Sequence, residues 1–195
     1  AYEFYAAATA AGIKPIIGVE AYMTPGTSRF DKTRVFWGEE SQRGDDVSAR
    51  GSYTHLTLLS RNDEGLHNLM RLDSWASLEG QWGKAPRMDR ELLSRYSAGL
   101  IGSTACPSSE VQTRLRLGQY DEALRAAGEF QDIFGKDYFY VELMDHGLEI
   151  ERRVTKDLLS IAKALDAPLL ATNDSHYVRP EDRTVQDAML CINSG

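Results

Sequence analysis

The chain has 195 residues, 42% of them hydrophobic, and a formal net charge of −7. That is enough apolar content for one domain with a real core, and the acidic balance excludes a free-standing electrostatic DNA binder while suiting carboxylates that hold cations. No apolar run is long enough to cross a bilayer, the first residues form no signal peptide, and the two cysteines, Cys106 and Cys191, are too few for a disulfide framework, so a reducing, cytoplasmic setting is expected.

Ala1 to Ala11 reads as a helix, stopped by Gly12. It has no initiator Met and no capping residue, so the sequence is expected to be cut from something longer. Ile13 to Met23 reads as a buried strand ended by the Pro25-Gly26 turn. Residues 27–52 form a polar excursion, with a short strand expected at Arg34 to Trp37. Tyr53 to Leu59 is a further strand, and Asn62-Asp63 caps a helix at about 64–79. A short helix from Met88 to Tyr96 and a strand from Leu100 to Ala105 follow, then helices at 108–117 and 119–134. Tyr138 to Met144 is a strand. Leu148 to Leu165 is an amphipathic helix with Ile150, Val154, Leu158, Ile161 and Leu165 on one stripe. Pro168 to Thr172 reads as a buried strand, and Pro180 starts a last helix that runs to about Ile192. Alternating strands and helices predict an α/β fold with a largely parallel sheet, open or closed into a barrel, and chemistry at the C-terminal strand ends.

The clearest chemical element is Leu169-Leu170-Ala171-Thr172-Asn173-Asp174-Ser175-His176, an apolar strand running into Asp-x-His. Alternate residues at a strand end point the same way, so Asp174 and His176 can share one ion; the bland alternative is a turn cap and a surface histidine. Glu20 lies in an apolar run, where a carboxylate is costly unless paired or bound to a cation. Cys106 follows a strand and precedes a helix N-terminus that favours thiolate. His55 begins a strand run, and His146 follows Glu142 and Asp145 after another strand, where it can either support a ligand from behind or touch substrate. His67 reads as solvated surface and Cys191 as core. Singly, most of these residues fit ordinary structural roles. Together, Glu20, His55, Cys106, Asp174 and His176 sit beside separate strands of one sheet. Mixed O, N and S donors suit zinc, with manganese or iron as alternatives, and five protein ligands point to more than one ion. Adjacent metals suit phosphoester hydrolysis, because they activate water and stabilise the attacking and leaving oxygens. The Walker A, G-x-G-x-x-G and G-x-S-x-G motifs are absent.

At these residues the sequence resembles the polymerase-and-histidinol-phosphatase (PHP) domain found at the N-terminus of bacterial replicative DNA polymerase III alpha subunits. The stretches that carry the resemblance are AGIKPIIGVEAYM, YTHLTLLSRNDEGLHNLMRL, LIGSTACPSSEVQTRL, YFYVELMDHG and LLATNDSHYVRPEDRTVQDAMLCINSG, and RFDKTRVFWGEESQRGDDVS looks like the actinobacterial form. The resemblance implies that residues 1–195 are one PHP domain, a distorted (βα)7 barrel missing its first strand or strands. It implies a multinuclear metal site with ligands at Glu20, His55, Cys106, Asp174 and His176. In the nuclease reading Asp174, His176 and Glu20 would also be catalytic, and His146 or a nearby Arg would contact the substrate phosphate. In relatives with an intact site the domain is a 3′→5′ exonuclease; in others it is a scaffold. The family's opening His-x-His and later Asp-His motifs are absent and are expected before Ala1. Ala105 and Ser109 stand where relatives often have glycine, which alters the loop without removing Cys106. The expected partners are the 3′ end of a DNA primer strand, the other domains of the alpha subunit, and the sliding clamp and other replisome subunits, with no membrane. The rival readings are a metal-stabilised docking module and a stand-alone phosphoesterase for a small phosphate ester.

Overall fold

Apolar strands alternate with amphipathic helices to build a mixed α/β domain, described over residues 1–194 in the computed structural model. In chain order the elements are α1 (Tyr2–Ala10), β1 (Gly18–Met23), α2 (Ser48–Gly51), β2 (Thr54–Ser60), α3 (Asp63–Glu79), β3 (Arg87–Met88), α4 (Arg90–Arg95), β4 (Leu100–Ser103), α5 (Glu110–Arg116), α6 (Tyr120–Phe134), β5 (Phe139–Leu143), α7 (Glu149–Leu165), β6 (Leu169–Ala171) and α8 (Arg183–Ser194). The sheet order is β3-β1-β2-β4-β5-β6. β2 pairs antiparallel with β1 and β4, and the other pairings are parallel. The expected parallel sheet is therefore correct except at β2, which runs against the other five strands. Among the described residues β3 and β6 do not pair with each other, so these six strands form an open sheet rather than a closed ring.

Side-chain chemistry explains where the elements start. The Asn62 side chain accepts a hydrogen bond from the Gly65 amide and caps α3, as the sequence predicts. Asp89 caps α4 in the same way through Leu92. Gly65 is required where α3 meets the chain before β4, because a Cβ there would lie 1.9 Å from the Gly99 carbonyl oxygen. Leu56, Leu58, Leu72, Phe139, Val141 and Ile161 form part of one core between sheet and helices. Each such burial contributes roughly 1.5–3 kcal/mol. The predicted stripe of α7 is real: Val154, Leu158 and Ile161 are buried, and Ile150 and Leu165 at its ends are half-buried.

Several expectations need correction. The first strand begins at Gly18 rather than Ile13, since Pro15 has no amide to donate and Ile13 and Ile16 are exposed. Arg34 to Trp37 is not a strand: the Asp46 carboxylate takes the Trp37 and Gly38 amides, and Val35 donates to the Gly51 carbonyl. Met88, expected to start a helix, pairs instead with Met23, and Arg87 before it pairs with Tyr22. β6 is not buried, because it has a strand neighbour on one side only and Leu169 is 50% exposed. Cys191 is exposed rather than core, since α8 leaves Val185, Met189 and Ile192 uncovered.

The polar excursion is anchored more firmly than its composition implied. Arg87 is fully buried and donates to the carbonyls of Gly80, Ser52, Arg29 and Asp31. Arg29 is buried among Glu79, Asp89 and Glu91. Ala49 and Arg50 have φ of 50° and 56°, so α2 is a single tight turn with left-handed backbone. That costs roughly 1–2 kcal/mol per residue. The Arg34 guanidinium donates to both of their carbonyls and holds the turn.

Candidate metal centre

The reversal of β2 explains how three distant residues converge. His55 lies near the start of β2, and because β2 is reversed, that end lies level with the C-terminal ends of β1 and β4. In the β1–β2 register Glu20 is opposite Thr57 and Tyr22 is opposite His55. With a period of two, Glu20, Tyr22, His55 and Thr57 share one face, and Glu20 meets His55 on the diagonal. The His55 Nδ1 lies 2.6 Å from Glu20 Oε1.

Cys106 arrives from the loop after β4, and that loop is pinned on several sides. The Ala105 amide donates to Ser103 Oγ, Gln112 Nε2 donates to the Ala105 carbonyl, and the His55 amide donates to the Ser108 carbonyl. Cys106 Sγ lies 3.3 Å from His55 Nδ1 and 3.6 Å from Glu20 Oε1. One ligand atom from each of Glu20, His55 and Cys106 lies within 4.8 Å of the others. The donor set of carboxylate, imidazole and thiol fits a borderline-soft divalent ion such as zinc.

The protonation of this trio follows from its surroundings. The hydrogen bond from His55 holds the Glu20 carboxyl below the usual carboxylate range, against partial burial that opposes it, and the charge of His176 adds to the lowering. Burial pushes the Cys106 thiol up to about 12, with the charges of Glu20 and Asp174 in the same direction. The helix N-terminus therefore does not make Cys106 a thiolate in the metal-free protein, contrary to expectation. Burial and the charges of Glu20 and Asp174 outweigh the Ser108 backbone hydrogen bond, which favours the thiolate.

The structure does not bring Asp174 and His176 into the trio as an extended strand end would. β6 ends at Ala171, and Asp174 has a left-handed φ of 43°, so Asp-x-His is a bent loop rather than an extended strand end. The two residues lie outside the 4.8 Å group, although their charges act on Cys106 and Glu20. His176 Nδ1 donates to the Asp174 carbonyl at 2.7 Å, so Nε2 is the ring nitrogen left to ligate an ion. His67 is on the surface, as expected.

His146 has a positioning geometry. Its Nε2 donates to the Asn173 carbonyl at 2.8 Å, and its Nδ1 lies 2.5 Å from Glu151 Oε1. The Glu151 carboxylate, and then the Asn173 carbonyl, raise the imidazole pKa above its ordinary value. A phosphate contact would require His146 to release one of these partners.

Glu142 was passed over in the sequence, although a carboxylate in the apolar run FYVEL gives the same signal as Glu20. It is buried on β5 and accepts from Ser103 Oγ and Thr172 Oγ1, while its amide donates to Thr104 Oγ1. It thus ties the end of β4, which leads to Cys106, to the segment that leads to Asp174. Tyr22 and Tyr53 were also missed. Their rings stack 4.1 Å apart, and Tyr53 stacks on His55 at 5.7 Å.

The family model described as the PHP domain matches residues 1–146. The DNA polymerase III subunit alpha of Mycobacterium tuberculosis (strain H37Rv) is 57% identical over 195 residues, covering all of this chain and 16% of that protein. The protein of the same name from Saccharopolyspora erythraea is 57% identical over 200 residues, covering 99% of this chain and 17% of that protein. The Thermus aquaticus protein of that name is 41% identical over 194 residues, covering all of this chain and 15% of its length. The chain spans about a sixth of the length of these curated relatives. No helix among the described residues is long and apolar enough to cross a membrane.

Proposed function

The chain belongs to the PHP domain family, and from that premise we propose that it is the PHP segment of a replicative DNA polymerase III alpha subunit, a DNA-directed DNA polymerase, and carries a metal-dependent 3′→5′ proofreading exonuclease site. The observation that carries this reading is the convergence of Glu20, His55 and Cys106 within 4.8 Å. Similarity along the whole chain to DNA polymerase III alpha subunits supports the parent protein. It also weighs against a stand-alone phosphoesterase.

Glu20, His55, Cys106, Asp174 and His176 would hold a divalent metal cluster, with zinc best suited to the mixed donors and manganese or iron as alternatives. Bound ions would supply Lewis acidity that activates water and offsets charge on the attacking and leaving oxygens of a phosphodiester. The chain's own residues do the positioning. Glu142 and His146 orient the loop that carries Asp174 and His176, while Ser103 and Gln112 fix the loop that carries Cys106. The partners in this reading are the 3′ end of the DNA primer strand, the other domains of the alpha subunit, and the sliding clamp and other replisome subunits, in the cytoplasm.

The test is excision of a mismatched 3′ nucleotide by the full-length polymerase. Asp174→Asn is expected to abolish it while leaving primer extension intact. Unchanged excision would overturn the reading. A docking module that binds metal only for stability is the second reading, favoured by the fact that among the described residues just three ligand atoms form the tight group. In that case chelation lowers the melting temperature and no excision depends on Asp174.

A further inference from the structure

Beside the trio, away from the Cys106 loop, a groove of about 510 Å³ is lined by Tyr22, Tyr53, Trp82, Arg34 and Lys84, together with small residues. Its volume is in the range of ligand pockets, about 300–1,000 Å³. Among the described residues no carboxylate lines it, in a chain whose net charge is −7. Tyr22 is two residues beyond Glu20 on β1, and Tyr53 is two residues before His55, so the tyrosine pair sits roughly 6–7 Å along the same sheet face from the ligands. The tyrosine rings lie 22° from parallel, and Tyr53 lies 11° from the His55 ring. The Arg87 and Arg34 guanidinium groups lie 4.7 Å and 5.2 Å from the Trp82 ring centroid, and Lys84 is an exposed lining residue. Flat aromatic faces lined with cations match the chemistry of a nucleotide, which has a planar base and a negative phosphate. Such platforms hold single strands without reading sequence, because every base has a π-face.

We propose that the Tyr22–Tyr53–Trp82 groove stacks the unpaired bases at the 3′ end of the DNA strand delivered to the metal centre, and so makes the site selective for frayed or mismatched ends over paired ones. This rests on the exonuclease reading and adds to it the residues that select the substrate. A paired terminus keeps its base in the duplex and offers the platform nothing. A mismatched base leaves the stack at little cost and is captured two residues along the sheet from the ligands. Arg34 also holds the left-handed turn at Ala49 and Arg50, which forms one wall of the groove.

The experiment uses the full-length polymerase and single-stranded oligonucleotides that end in 2-aminopurine or in an abasic nucleotide. Binding is measured with chelator present, and excision with metal restored. Tyr53→Leu and Trp82→Leu are compared with the wild type, with metal content checked for each. Trp82 lies farther along the chain from any ligand and guards against a disturbance of His55. Each variant is expected to weaken binding and raise KM about tenfold for the 2-aminopurine end, within the range of base–aromatic stacking. Neither is expected to change the values for the abasic end. If both variants match the wild type on the 2-aminopurine end, or if the wild type treats the two ends alike, the groove is not a base platform. If Asp174→Asn leaves excision unchanged while Tyr53→Leu still weakens binding of the base, the exonuclease reading fails and the platform stands. If Asp174 is required and neither groove variant shifts KM, the platform fails and the exonuclease reading stands.

Discussion

Glu20 and His55 meet diagonally across an antiparallel strand pair, with Oε1 2.6 Å from Nδ1, although Glu20's direct partner in the register is Thr57. Without an ion, Glu20 Oε1 accepts hydrogen bonds from both the His55 ring and the Cys106 thiol, so protons hold together the groups that would share a metal. Glu20→Gln keeps the shape and removes the charge. In the full-length protein it is expected to lower divalent-metal affinity by at least about 100-fold, more than losing a typical outer-shell partner does. Competition with a chromophoric chelator measures this. Chelation should then lower the melting temperature of the wild type and leave that of Glu20→Gln nearly unchanged. Equal metal content in the two proteins would rule out Glu20 as a ligand.

Cys106 makes a second prediction about the same ion. Burial holds its thiol pKa at about 12, so the metal-free side chain is protonated at neutral pH. A metal binds the thiolate, so loading must drive this proton off. Adding zinc to chelator-treated protein in weak buffer at pH 7.5 is expected to release about one more proton from the wild type than from Cys106→Ser. Equal release would mean that the sulfur takes no part in binding.

These two predictions rest on residues that were readable in the sequence, while their neighbours mostly were not. Glu20, His55 and Cys106 were visible because each is a polar or soft residue beside an apolar run. Their convergence depends on the reversed direction of β2, which no pattern inside Tyr53 to Leu59 encodes, since an alternating strand reads the same in either direction. The bend at Asp174 was hidden because strand periodicity says nothing about where pairing stops. Arg87 was hidden for a different reason. A lone arginine before Met88 carries no pattern of its own, yet it is buried on four carbonyls from other segments of the chain. Local patterns gave the helices well, as the Asn62 cap and the α7 stripe show, because those depend on neighbours in the chain.

The His146–Glu151 pair predicts a defined dependence of stability on pH. Glu151 and the Asn173 carbonyl raise the His146 pKa above 6.5. Burial pushes Glu151 up, but the His146 ring and the His146 and Leu148 amides outweigh it and leave its pKa below 4.5. The histidine contribution is complete below pH 6.5 and is lost as pH rises through the raised value. The glutamate contribution is complete above pH 4.5 and is lost as pH falls through the lowered value. The stability difference between wild type and His146→Gln is therefore expected to be largest between pH 4.5 and 6.5 and to shrink on both sides. Urea denaturation across that range tests it, and a difference that does not vary with pH would show that the pair is not coupled.

Ala105 concentrates the strain of the metal loop in one residue. Its φ is 52° and it is 1% exposed, between Ser103, which binds its amide, and Gln112, which binds its carbonyl. Left-handed backbone costs alanine roughly 1–2 kcal/mol. Glycine would remove that strain, but it frees the unfolded chain by about 0.5–1 kcal/mol and gives up a buried methyl worth up to about 0.8 kcal/mol. These effects nearly cancel, so Ala105→Gly is expected to stay within about 1 kcal/mol of the wild type and to keep its metal. Valine cannot make the same exchange. A β-branched side chain is an outlier at positive φ, and two added methyl groups have no room in a buried loop. Ala105→Val is expected to cost at least about 2–3 kcal/mol and to lower metal occupancy, because the loop that carries Cys106 must move to relieve it. Denaturation midpoints and metal analysis of the two variants test this directly. If valine is tolerated as well as glycine, Ala105 does not hold Cys106 in place.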